Sequence, residues 1–172
     1  MHTYIFPVHT YVNVCNIPHE ESLSYLQNEI DKRVGPMDYK TNVKGQMTDW
    51  TSFINDEKFK KYIGMFLEQL KEENPWKIQD WKGIEMVGAW GNKLKANDHV
   101  ARHDHRGDTD FSSVIYFSDT SIILENFYID VKRGDIVTFD PTIKHWTNPE
   151  TKDRYSLAMN WKLITEKVWK KS

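Results

Sequence analysis

The chain has 172 residues, a net charge of −2, a pI near 6.4 and a single cysteine, Cys15. Its Lys and Arg are scattered rather than banked into a basic stripe, which argues against dedicated nucleic-acid binding, and one cysteine excludes an internal disulfide or a cysteine-only metal cage. No apolar run nears the roughly 18 residues of a membrane span, and Met1-His2-Thr3-Tyr4 lacks the basic start of a secretion signal, so a cytoplasmic protein with no membrane partner is expected.

The length suits one domain over 1–172. Residues 3–15 are β-branched and aromatic, with Pro7 marking an edge or a break. From about His19 to Arg33, Leu23, Leu26, Ile30 and Val34 recur at helical spacing. A second helix is plainer still: Phe59, Tyr62, Ile63, Phe66, Leu67 and Leu70 form one stripe, after candidate caps at Asn55 and Asp56 and before Pro75. After Trp81 the pattern turns to strands, at Ile84–Leu94, Ser112–Phe117, Ile122–Ile129, Asp135–Phe139 and Arg154–Ile164, with turns at Arg133-Gly134-Asp135 and Asp140-Pro141. Helices first and strands after predict an α+β, mainly β fold. Helical support would cover about 1–80 and a strand core about 84–164.

The last strand has two characters. Tyr155, Leu157, Met159 and Trp161 share one face, while Arg154, Ser156, Ala158 and Asn160 share the other. The first suits packing on the helices. The second puts a cation, a hydroxyl and an amide either on a pocket wall or on a solvated surface.

Four of the seven histidines fall in the strand half: His99, His103, His105 and His145. Residues 103 and 105 leave the same face of an extended segment, about 7 Å apart at Cα, so two imidazoles can share one ion. Asp104 would point away. His145 follows a strand and its turn, where a loop can bring in a third ligand. Such a set suits iron, zinc, copper or nickel, although histidine pairs also occur in surface turns. The competing set joins one of these histidines to Asp108 or Asp110, returned by a turn at Arg106-Gly107. Arg154 with Ser156 makes a carboxylate clamp, or else Arg154 is a surface cation pairing with Glu150 or Asp153.

Taken in order, these segments resemble a family. Trp90-Gly91-Asn92, His103-Asp104-His105, Phe111-Ser112-Ser113-Val114-Ile115-Tyr116-Phe117, Gly134 to Pro141 with His145, and Arg154-x-Ser156 with Asn160 are similar to the successive motifs of 2-oxoglutarate/iron(II) oxygenases found in marine bacteria and phages. Met47 to Ser52 resembles their early Trp-x-Ser, and the likeness spans about residues 84–162. It implies a double-stranded β-helix (the cupin-type jelly roll) buttressed by the N-terminal helices. It also implies Fe(II) on the first histidine motif and His145, O2 as oxidant, and 2-oxoglutarate held by Arg154 with Ser156, Tyr116 and Asn92. The activity implied is a hydroxylase of a protein side chain or small molecule, releasing succinate and CO2; a phage-encoded member would act in the host cytoplasm.

Two departures stand out. The wider superfamily carries His-x-Asp where this chain has His105, and Ser113 replaces a family glycine. The stretch between Phe117 and Gly134 is also short, which predicts a compact barrel, open on its smaller side. The alternative to an oxygenase is a cupin-like protein that holds a metal or small carboxylate without turnover. In a third reading the histidines sit in surface turns and the fold serves an interaction. Trp146, beside the distal histidine, is a candidate for the substrate mouth.

Overall fold

The computed structural model describes residues 2–5, 11–36, 41–73, 81–107 and 109–165. In chain order, strands β1 (His2–Ile5) and β2 (Tyr11–Asn16) precede helix α1 (Glu20–Arg33). Two short strands, β3 (Val43–Lys44) and β4 (Gln46–Met47), lead to helix α2 (Glu57–Glu73). Strands then follow without interruption: β5 (Trp81–Leu94), β6 (His99–Val100), β7 (Phe111–Tyr116), β8 (Thr120–Leu124), β9 (Phe127–Val131), β10 (Asp135–Phe139), β11 (His145–Trp146) and β12 (Arg154–Thr165). The break expected at Pro7 lies outside the described residues.

Both helices begin and end where their sequences direct. The His19 ring accepts from the Ser22 amide at the start of α1, Glu20 and Glu21 occupy the first turn, and Lys32 and Arg33 the last. Each charge therefore opposes the helix dipole it meets. Asp56 is the cap of α2, its carboxylate accepting from the Phe59 amide at 3.0 Å. The stripes Leu23, Leu26, Ile30 and Phe59, Tyr62, Phe66, Leu70 are buried together with Leu157, Met159 and Trp161 of β12. Gly91 permits this close packing: a Cβ there would lie 2.4 Å from Ile30 Cγ1.

The sheet beneath the helices has seven strands in the order β1-β2-β10-β7-β12-β5-β4. A three-stranded sheet, β11-β8-β9, lies apart from it, and an isolated bridge from His103 to His145 extends its β11 edge. From β5 onward the chain therefore alternates between sheets: β5, β7, β10 and β12 in the large one, residue 103, β8, β9 and β11 in the small one. All the pairings are antiparallel. A second apolar cluster, including Ile122, Leu124, Ile129 and Val131 from the small sheet and Val12, Tyr116, Val137 and Phe139 from the large, joins the two.

The structure corrects three expectations. The strand expected over Ile122–Ile129 is a hairpin, with Leu124 paired to Phe127 and Glu125 in the left-handed region at φ 52°. Glu-Asn carries no glycine turn signal, so the reversal was hidden in a run of good strand formers. The short 117–134 segment, expected to leave a compact barrel open on its smaller side, carries β8 and β9, two of the three strands of the small sheet. Lastly, the first 80 residues are more than helical support, because β1, β2 and β4 extend the large sheet at its two ends.

Candidate metal centre and its cavity

His103 and His145 face each other across the two-residue bridge. The His103 amide donates to the His145 carbonyl at 3.1 Å, and the His145 amide returns the bond at 2.9 Å. Directly opposed residues of an antiparallel pair present their side chains on one face. His105, two residues on, is tied by its amide to the Pro141 carbonyl at 2.9 Å. The ring centroids are 4.2 Å apart for His103 and His145, 5.0 Å for His103 and His105, and 5.1 Å for His105 and His145.

Two rings have their tautomers fixed by the backbone. Nδ1 of His103 lies 2.8 Å from the Ala101 carbonyl, and Nδ1 of His145 lies 3.1 Å from that of Ile143. A carbonyl can only accept, so Nδ1 carries the proton in both and each Nε2 keeps its lone pair. One nitrogen from each of the three rings lies within 4.8 Å of the others. Three nitrogens bound to one ion at about 2.1 Å are roughly 3.0–3.6 Å apart, so the rings would draw inward on a shared ion.

Burial holds the His103 and His145 rings neutral, the form that binds metal. It pushes the His145 pKa well below the ordinary histidine value, and the neighbouring His103 and His105 add to that push. Burial also lowers His103, against the opposing pull of the Ala101 hydrogen bond and of Asp104. Phe139, with its ring 4.5 Å from His145, closes one side of the cluster.

Among the described residues, no carboxylate joins the three histidine nitrogens, although Asp104 lines the same cavity. Asp110 is exposed and accepts from the Leu163 amide at 2.7 Å, bracing β12. Asp104 accepts from the Arg106 amide. His99 pairs with Lys44 between β6 and β3. Asp108 lies outside the described residues.

The three imidazoles open on a cavity of about 520 Å³ that also exposes Asn92, Tyr116, Arg154 and Ser156, together with Trp50, Trp90 and Trp146. All four residues expected to hold a carboxylate therefore reach the same cavity as the histidines. Asn92 donates to Ser156 Oγ at 3.2 Å, while its own Oδ1 is buried without a partner. Arg154 is 3% exposed, so it is no surface cation. Its Nη2 donates to the Asp98 carbonyl at 2.7 Å and its Nη1 to Glu150 at 3.3 Å, while Nε is buried with no partner. Burial pushes the Tyr116 hydroxyl up, which keeps it a neutral donor.

Sequence reasoning missed two features of this wall. Thr120 donates to Glu150, completing a chain to Arg154, and Ser112 donates to Asn160 at 2.8 Å. Only the second had a signal, in the polar face of β12. Ser113, which stands where the resembled family has glycine, is fully buried on the helix side; it shares a 2.8 Å hydrogen bond with Thr138 and accepts from Trp161 Nε1 at 3.2 Å.

No family model matches the sequence, and no curated protein matches it. Solved structures do match its fold. The viral collagen prolyl hydroxylase of Paramecium bursaria Chlorella virus-1, in complex with 2-oxoglutarate, is 12% identical, with 90% of this chain and 96% of that one covered at a TM-score of 0.67. A prolyl-4-hydroxylase of Pseudomonas putida is 15% identical over 88% and 91% of the two chains, at 0.64. HygX of Streptomyces hygroscopicus, with nickel and 2-oxoglutarate bound, is 10% identical over 88% and 82%, at 0.58. Its structural neighbours are thus 2-oxoglutarate-dependent oxygenases of jelly-roll fold; at these identities the likeness is one of fold. Among the described residues no helix is long and apolar enough to cross a membrane.

Proposed function

We propose that this chain is an iron(II)- and 2-oxoglutarate-dependent oxygenase, hydroxylating a protein side chain or a small molecule with O2. The alternation of strands between two antiparallel sheets supports reading the fold as a double-stranded β-helix. One observation carries the function: three histidine nitrogens converge in the same cavity as a buried guanidinium with an unused donor. His103, His105 and His145 would hold the iron, leaving positions open for co-substrate. Bound there, iron supplies the oxidative decarboxylation of 2-oxoglutarate to succinate and CO2, coupled to hydroxylation of a substrate C–H bond.

The chain's own residues do the remaining work. Arg154 takes the distal carboxylate of 2-oxoglutarate through Nε–H, the donor with no protein partner. Ser156, whose oxygen already accepts from Asn92, has its hydroxyl proton free to give, and Tyr116 adds a neutral donor. Phe139 and Trp90 exclude water beside the histidines. The apolar and tryptophan-lined remainder of the cavity is left for the primary substrate.

The all-imidazole donor set favours one competing reading, a binding protein that holds metal and carboxylate without turnover. Succinate release from 2-oxoglutarate, measured with and without Fe(II), separates the two. An oxygenase yields iron-dependent succinate even without primary substrate, though slowly. Tight binding of both ligands with no succinate, under any candidate substrate, leaves the binding protein.

A further inference from the structure

Arg154 does not meet an incoming anion as a bare cation, because Glu150 is already beside it. The contact is loose: 3.3 Å from Nη1 to Oε1, against the 2.7–2.9 Å usual for a charge-assisted bond. The same oxygen also accepts from the Thr120 hydroxyl. Glu150 can therefore release the guanidinium without being left unsatisfied. Its backbone stays anchored when it does so, since its carbonyl accepts from the Asn97 amide at 2.8 Å, in the turn whose Asp98 carbonyl holds Nη2.

We propose that Glu150 is an internal competitor for the cationic end of the cavity, damping the affinity for a 2-oxo dicarboxylate so that occupancy follows its concentration. The proposal rests on the reading of Arg154 as the carboxylate anchor. An arriving distal carboxylate takes the unused Nε donor but finds the positive charge already half-spent on Glu150, and a second anion stays fixed within a few ångströms of it. Like charges at such a distance oppose one another strongly where solvent is thin. The Glu150 side chain is 24% exposed, so screening trims the repulsion without removing it. Thr120 works in the opposite sense, drawing the glutamate off the guanidinium.

Glu150→Gln tests the proposal cleanly. The amide oxygen still accepts from Thr120 and Arg154, so geometry is retained and only the charge goes. The readout is calorimetric titration of the Mn(II)-loaded full chain with 2-oxoglutarate and with 2-oxovalerate, which has the same carbon chain but no distal carboxylate. Glu150→Gln is expected to tighten 2-oxoglutarate about tenfold and to change 2-oxovalerate less than twofold; a merely structural glutamate would move both together or neither. Thr120→Val, which leaves Glu150 wholly to Arg154, should weaken 2-oxoglutarate several-fold and decides the matter if the first variant does not fold. An unchanged ratio between the two ligands in both variants overturns the role of Glu150 alone. If the parent protein shows no preference for 2-oxoglutarate over 2-oxovalerate, Arg154 is no carboxylate anchor, and both readings fall.

Discussion

The two faces of β12 are built by the same backbone and serve opposite ends. On the helix side, Leu157, Met159 and Trp161 are sealed against α1 and α2, and the one polar group of Trp161 is matched to Ser113. On the cavity side, Arg154 keeps a buried N–H unpaired, and the neighbouring Asn92 a buried oxygen. An unpaired buried polar group costs about 1–3 kcal/mol. Chains retain such groups where a ligand completes them. One face holds the molecule together; on the proposed reading, the other holds stability back for a ligand.

The sharpest way to break this division is at the metal. His145→Ala removes the most buried of the three imidazoles. Fe(II) affinity is expected to fall by at least two orders of magnitude while far-ultraviolet circular dichroism stays close to the parent. A metal titration checks it, and parental iron affinity in the variant would take His145 out of the ligand set. Leu157→Ala does the reverse. Leu157 is fully buried among helix side chains, and its truncation is expected to cost about 2–5 kcal/mol of unfolding free energy, read by urea denaturation. Iron affinity of the folded fraction should not change. If it falls with stability, the two faces are not independent.

Arg154 lies between these extremes. Arg154→Met is expected to raise the Michaelis constant for 2-oxoglutarate by about tenfold or more, since a lost charge-assisted bond is worth about 1.5–3 kcal/mol. Arg154→Lys should recover only part, because an ammonium lacks the planar fork that reaches Asp98, Glu150 and ligand at once. Equal constants in the three proteins would leave the guanidinium with a structural role.

Periodicity made one face of this contrast legible in the sequence and half of the other. The stripes of α1 and α2 and the alternation in β12 are local patterns, and the structure realises them nearly to the residue. The histidine pair was legible too, because residues i and i+2 of an extended segment must share a side. The rest depends on partners far apart in the chain. Strands β3, β4, β6 and β11 have two residues each, too few to show any period. The hairpin at Glu125 turns without glycine. Whether Arg154 was a clamp or a surface ion pair could not be read locally, since Thr120 lies 30 residues from Glu150. Arg154 pairs with Glu150, as the ion-pair reading expects, but does so buried on the cavity wall and not at the surface.

The smallest expected effect bears on the least usual feature, a donor set without a carboxylate. Three imidazoles leave Fe(II) at a charge of +2, whereas an aspartate ligand would bring the centre to +1 and bind it more tightly. Asp108 and Asp110 were the carboxylates that a turn at Arg106-Gly107 could return, yet the Asp110 oxygen is used to hold the Leu163 amide. Asp110→Ala should therefore act as a strand variant, not a ligand variant. The lost bond is to an exposed carboxylate, so about 0.5–1.5 kcal/mol of stability is expected to go, and iron affinity should stay within twofold of the parent. Asp108→Ala, measured beside it, should leave iron affinity equally unmoved if the three histidines are the whole protein ligand set. His105→Asp completes the comparison, because the shorter carboxylate at the same position should still retain iron. Loss of the metal on either aspartate substitution, with the fold intact, would replace His105 by a carboxylate and end the three-histidine assignment.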